Sequence, residues 1–397
     1  MQRYGLFLVI VLIGLQIVWA KDPKDPAMYK KHKNFYGKEK DYLITDFDRF
    51  QHVREIQAYD PVFHFPPIRQ DTTGTCWCFC TTSFLESELH RLGRGDIELS
   101  RMFTVYWEYV EKVRRFVREK GSSLVAEGSQ PNAVIERMKQ YGAVRASDYS
   151  GLLPGNTIHN HAPMLEDILD YLDYIKANAL WQEEQVIANV RMILDRYLGR
   201  PPETITVQGE EMTPVEFLQN RLQLPLDEYV SIMSFKKIPF WTQDKYDVPD
   251  NWWLDDEYYN VPLPEFYEAI RSAIRQDFTL VIAGDVSEPG KYGWKDIGVV
   301  PSFDIPSDYI NQDSREFRFY NNTSTDDHGM HLVGYKRFQG EDWFLIKDSA
   351  SSAWRGEFDG YHFFHKDFIK LKTLAILTHR DAVAELLETF EAQKQKQ

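Results

Sequence analysis

Gln70 stands six residues ahead of Cys76, with Gly74 in the turn between them and Trp77 directly after the sulfur. The amphipathic run that follows, to about His90, places Cys76 at the start of a buried helix. Partial positive charge and unpaired N–H groups at such a start favour a thiolate, the nucleophilic form of cysteine. The Gln70 side chain then supplies a donor beside the Cys76 backbone N–H, and two donors aimed at one point stabilise a developing oxyanion.

A thiol nucleophile needs a base, and the base needs a group to orient it. Asp327-His328-Gly329 begins as a turn and runs into a strand of alternating apolar residues through Tyr335. A second strand, Asp342 to Lys347, ends in the polar pair Asp348-Ser349. A base at the head of one strand and its orienting residue at the end of the next make His328 the base and Asp348 the orienting group. His331 is the rival base. Its offset of three from His328 puts the two rings on opposite faces of a regular strand.

These pieces, in this order, resemble a papain-type cysteine peptidase, and specifically the bleomycin hydrolase/aminopeptidase C branch. Leu99 to Trp107, Glu127 to Gly142, Leu198 to Thr204, Thr213 to Phe217, Tyr259 to Pro262 and Gly284 to Val286 carry the likeness beyond the site, over roughly residues 40 to 385. The resemblance implies a two-lobed α+β papain-like fold with a helical insertion. It also implies hydrolysis of peptide substrates without cofactor or metal, aminopeptidase action and a ring-like homo-hexamer. Position by position, Gln70 matches the oxyanion glutamine, Cys76 the nucleophile and His328 the base. Asp348 stands where the family usually carries asparagine, and Ala350 where a tryptophan shields that asparagine; Trp354 is near enough in sequence to supply the cover. An aspartate still accepts from the imidazole and stabilises its cation. In the resembling enzymes the terminal carboxylate of a tail lying in the cleft fixes the substrate amine, whereas this chain ends in Lys394-Gln395-Lys396-Gln397. An endopeptidase of the same fold, or an inactive peptide-binding scaffold, are the alternative readings.

Composition bounds the partners. A formal charge of −14 repels phosphate, which argues against nucleic acid. With 43% hydrophobic and 14% aromatic residues the 397-residue chain has the material for a packed core. The start reads as an export signal: Arg3 is followed by an apolar run from Leu6 to Val18, with small residues ahead of a cut after Ala20. The run is too short to span a bilayer, so export to a periplasmic or extracellular space without stable membrane insertion is expected. All 3 cysteines lie between Cys76 and Cys80, so no disulfide joins distant parts of the fold. A continuous helix through Cys76, Cys78 and Cys80 cannot fold around an ion, which disfavours a metal site and makes Cys78 and Cys80 small core residues.

The organisation follows from patterning. Residues 1–20 form the signal and 21–68 a proline-bearing arm. Residues 69–150 form a helical lobe with the nucleophile, including Cys76–His90, Ser100–Lys120 and Asn132–Tyr141. Residues 151–260 form a helical insertion, with a capped start at Thr213-Pro214. Residues 261–380 form a β lobe with His328 and Asp348, and 381–397 a tail. Helices first and antiparallel strands later place the site where the two halves meet. His159 and His161 read as a polar loop, and Trp241, Trp252, Trp253, Tyr258 and Tyr259 as packing before a substrate groove.

Overall fold

The computed structural model describes residues 29–33, 37–43, 45 and 47–396, so the expected signal, residues 1–20, lies outside the described residues. The chain divides into two compact units, 1–50 and 51–397. In the first, strands β1 (Tyr29–Lys33) and β2 (Glu39–Leu43) pair antiparallel, Tyr29 opposite Leu43.

The second unit begins with five helices, α1 (Cys76–Arg91), α2 (Arg101–Arg118), α3 (Asn132–Tyr141), α4 (Ala162–Ala177) and α5 (Glu183–Leu198). Their boundaries follow local chemistry. The Ser100 side chain accepts from the Phe103 N–H, capping α2, an interaction worth about 1 kcal/mol. Gly142 ends α3 at φ +77°, and a Cβ there would collide with the Pro214 backbone, so glycine is needed twice over. The insertion expected from residue 151 opens with two helices, α4 and α5, separated by Asn178 to Gln182, where Ala179 adopts φ +51°. The short helix α6 (Pro214–Phe217) carries the full capping box between Thr213 and Glu216.

The helical character expected as far as residue 260 stops earlier. Beyond the small hairpin β3 (Ile205–Val207) and β4 (Glu210–Met212), strands β5 (Tyr229–Met233), β6 (Thr242–Asp244) and β7 (Tyr258–Asn260) enter the main sheet. The physical reason is pairing: β5 lies antiparallel to a distant strand, Ile232 opposite Ile376, and such a long-range partner leaves no local periodic trace. The sheet continues with β8 (Leu280–Gly284), β9 (Lys291–Tyr292), β10 (Ile297–Gly298), β11 (His328–Phe338), β12 (Glu341–Lys347), β13 (Tyr361–His365) and β14 (Thr373–His379). Among the described residues it has ten strands, ordered β6-β7-β5-β14-β8-β11-β12-β13-β10-β9.

Helices α7 (Leu263–Arg275), α8 (Gln312–Tyr320), α9 (Lys366–Lys372) and α10 (Ala384–Lys394) complete the unit. Two large buried clusters result. One is built mainly from α1 to α5 around residues such as Phe84, Tyr106, Val134 and Leu194. The other joins α7 to the sheet through Phe266, Ile270, Phe344 and Ile376. Helix α1 packs on β11, and the contact is close: a Cβ on Gly329 would lie 2.9 Å from the Cys80 sulfur. That approach sets the head of β11 against the start of α1.

Candidate active site

Cys76 is the first residue of α1, free and partly exposed, while Cys78 and Cys80 are buried. Burial pushes the Cys78 thiol up to about 12 and the Cys80 thiol well above its usual value, so both stay neutral core groups. The turn ahead of Cys76 is bound to itself: Thr73 Oγ1 donates to the Gln70 carbonyl at 2.7 Å and lies 2.6 Å from Thr75 Oγ1. Asp71, at φ +56°, accepts from the His159 N–H at 3.0 Å. Thr72 N–H donates to His159 O, and His161 N–H to Thr72 O. The loop expected to be merely polar therefore braces the nucleophile turn. Within that loop the His161 ring is 1% exposed and lies against Tyr109.

Gln70 is buried. Its Nε2 donates to Thr73 O at 2.6 Å, leaving one N–H of the amide for another acceptor. Its Oε1 accepts from Ser349 Oγ at 2.7 Å, and its backbone N–H donates to Ser349 O at 3.0 Å. Ser349, the residue after Asp348, thus clamps the glutamine of one half to the strand end of the other. Sequence reasoning missed this role, because a serine after an aspartate carries no pattern of its own.

His328 opens β11, held by the Asp327 N–H donating to Gly284 O at 3.1 Å and by Asp327 Oδ1 accepting from the Val286 N–H at 3.0 Å. Its Nε2 lies 2.7 Å from Asp348 Oδ1. The ring is 7% exposed. Burial opposes its charge, yet the Asp348 carboxylate and the Cys76 sulfur, by field and by hydrogen bonding, hold the imidazole up at about 10. With Nε2 engaged by Asp348, the other ring nitrogen is the one left for the thiol.

His331, the rival, is fully buried elsewhere. Lys347 Nζ donates to Ser83 Oγ at 2.7 Å, and Ser83 Oγ lies 2.9 Å from His331 Nδ1. Burial and the Lys347 charge keep this ring neutral. The structure brings Cys76, His328 and Asp348 together and sets Gln70 against Ser349; His331 serves the packing of α1 on the sheet.

Asp348 has no exposed side-chain surface and a fuller set of partners than the sequence indicated. Oδ1 also accepts from the Ala350 N–H at 2.8 Å. Oδ2 meets the Lys291 ammonium at 2.7 Å and His362 Nε2 at 3.3 Å. Burial works against the carboxylate, but Lys291 first and His328 next hold it well below the usual range. Trp354, near enough in sequence to supply the cover, has its ring 4.9 Å from the Arg69 guanidinium.

The aromatic group divides. Trp252 is buried with Nε1 donating to Glu108 at 2.6 Å, and Tyr258 is buried too. Trp252, Trp253 and Tyr259 also line a cavity of about 830 Å³ with Arg114, Asp255 and Arg380, and neither Cys76 nor His328 reaches it. No group of metal-ligating side chains occurs among the described residues, and no helix there is long and apolar enough to cross a membrane.

Comparison with known proteins follows the same line. No protein-family profile matches the chain. Aminopeptidase C of Listeria innocua serovar 6a is 23% identical over 199 residues, 42% of this chain and 45% of that protein. Aminopeptidase C of Listeria monocytogenes serovar 1/2a is 22% identical over 204 residues, with the same shares. The match thus spans about half the length of the curated relatives. Among solved structures, PepW from Lactobacillus rhamnosis HN001 superposes with a TM-score of 0.62 at 16% identity, over 85% of both chains. The α+β, papain-like fold expected from the sequence is the fold of this chain.

Proposed function

We propose that this protein is a cysteine peptidase of the bleomycin hydrolase/aminopeptidase C type, acting through Cys76, His328, Asp348 and Gln70. The observation that carries the reading is an imidazole at the head of β11 held at 2.7 Å by Asp348, on a strand that packs against α1, which Cys76 begins. Likeness to aminopeptidase C and to the PepW fold supports it.

The chemistry runs in two halves. The Cys76 sulfur adds to the carbonyl carbon of a peptide, and the oxyanion is met by the Cys76 N–H and the spare N–H of Gln70. The C–N bond then breaks as the His328 imidazolium gives its proton to the departing amine, leaving a thioester on Cys76. His328 next takes a proton from water, the hydroxyl oxygen bonds to the acyl carbon, and the C–S bond breaks to release the acid and restore the sulfur. Asp348 keeps the ring turned toward the sulfur throughout. No step calls for a metal or cofactor.

Aminopeptidase action is the finer part of the proposal, and export through residues 1–20 belongs with it. Peptides with a free α-amine should be cleaved while their N-acetylated counterparts are spared; equal cleavage of both assigns an endopeptidase instead. Gln70 offers a second check. Replacing one oxyanion donor costs roughly 10²–10³ in kcat, so Gln70→Ala should lose that much with KM little changed. A variant that retains wild-type kcat in steady-state assays would remove Gln70 from the mechanism.

A further inference from the structure

Resting on that reading, a second charged residue joins the site. Lys291 sits on the two-residue edge strand β9, far in sequence from every other site residue, yet its side chain is only 6% exposed and its ammonium lies 2.7 Å from the fully buried Asp348 Oδ2. The carboxylate therefore faces two cations-in-waiting from opposite oxygens, Lys291 at Oδ2 and His328 at Oδ1.

The position calls for a weak partner. A carboxylate buried against an imidazole with no countercharge raises the imidazolium's pKa and so weakens it as an acid toward a leaving amine. A neutral amide would orient the ring without this cost. We propose that Lys291 and Asp348 act as one internally neutralised pair, a buried ion pair that orients His328 as an amide would, so that Lys291 is a positioning residue for the reaction.

Geometry supports the pairing from every side. The Ala350 N–H fixes Oδ1 at 2.8 Å, so the carboxylate cannot turn away from the ring. His362, from β13, stands 3.3 Å from Oδ2; it is fully buried and kept neutral by that burial, so it adds no charge. Asp296 faces His362, and on the His328 side stand the Cys76 sulfur, Asp326 and the adjacent Asp327. Lys291 is thus the ammonium in direct contact with Asp348 among the described residues.

The rate of Cys76 alkylation by iodoacetamide, followed by mass spectrometry across pH, tests the pair without needing peptide turnover. Its upper inflection reports loss of the His328 proton. Removing the ammonium in Lys291→Met should raise that inflection by about one pH unit or more, because the Asp348 carboxylate is then left unopposed beside the imidazolium, and an opposite charge at contact shifts a titration by that much. Asp348→Asn, with Lys291 retained, should lower it by a similar amount. The double variant, lacking both charges, should return to within about 0.3 units of the parent if the two act as one pair, and Lys291→Arg should stay there too.

An unmoved inflection in Lys291→Met, or a double variant that tracks Asp348→Asn, overturns the proposal. Should Lys291→Met not fold, the double variant must still titrate above Asp348→Asn, and equal values overturn the idea equally. A chain with these shifts that hydrolyses no peptide fails the peptidase reading and leaves the pair standing. One that hydrolyses peptides with no shifts does the reverse.

Discussion

Cys76→Ala is expected to lose peptide hydrolysis by roughly 10⁵-fold or more, the scale seen when a nucleophile is removed from a triad-type site. The argument is one of geometry. Cys76 is the partly exposed sulfur of the three, it heads α1, and it is the sulfur that helps raise the His328 imidazole. Cys78 donates to Arg101 O at 3.3 Å and Cys80 to Trp77 O at 3.3 Å, which ties both to structure. Cys78→Ala and Cys80→Ala should accordingly lower stability, through lost packing, while leaving kcat within a few-fold. A thiol-directed epoxide should label Cys76 in the parent and nothing in Cys76→Ala. An unreactive Cys76 in the folded parent would favour the peptide-binding scaffold over the enzyme. Circular dichroism should show Cys76→Ala melting within about 3 °C of the parent, since a partly exposed thiol buries little area.

His328→Asn should be nearly as damaging, about 10⁴-fold or more in kcat, because it removes the proton donor of the first half-reaction and the base of the second. The same residue sets the alkaline behaviour. The Asp348 carboxylate and the Cys76 sulfur outweigh burial and raise the ring from its ordinary 6.5 to about 10. A raised folded value means that the imidazolium stabilises the fold in full below 6.5, and that this contribution drains away as pH rises toward and through about 10. Hydrolysis needs the same proton and should fall over the upper part of that window. Asp348 titrates far to the acid side, so its contribution is present above 3.8 and is lost only well below it. Stopped-flow pH jumps on the parent would check the alkaline limb; a loss of activity centred near 6.5 would show that His328 does not carry the raised proton.

The two halves of the site meet because several contacts cross between them. Ser349 holds Gln70, Gly329 admits Cys80, and Lys347 reaches both Ser83 at 2.7 Å and Phe65 O at 2.6 Å. Each joins a residue in or ahead of α1 to one at the head of β11 or the end of β12. Docking of the halves and assembly of the site are therefore one event, and weakening these contacts should affect activity before global stability.

Much of the site was legible in the chain itself. A glutamine, a turn glycine and a cysteine at the start of an amphipathic run describe a helix start, and helix starts follow short-range rules of capping and periodicity. α3 occupies residues 132–141 as read, and His328 heads its strand because alternation and turn residues are local signals too. The departure of Asp348 from the expected asparagine was visible as a residue type. Its consequence was not. Lys291 and His362 come from β9 and β13, whose neighbourhood to Asp348 depends on the order in which a ten-stranded sheet is assembled. The same holds for His331, whose choice of Ser83 over Cys76 depended on which face of β11 meets α1. Residues 229–260 read as part of a helical insertion because their strands owe their form to partners such as Ile376, far along the chain. Local rules decided where the nucleophile sits; only packing decided the charge that its base must work against.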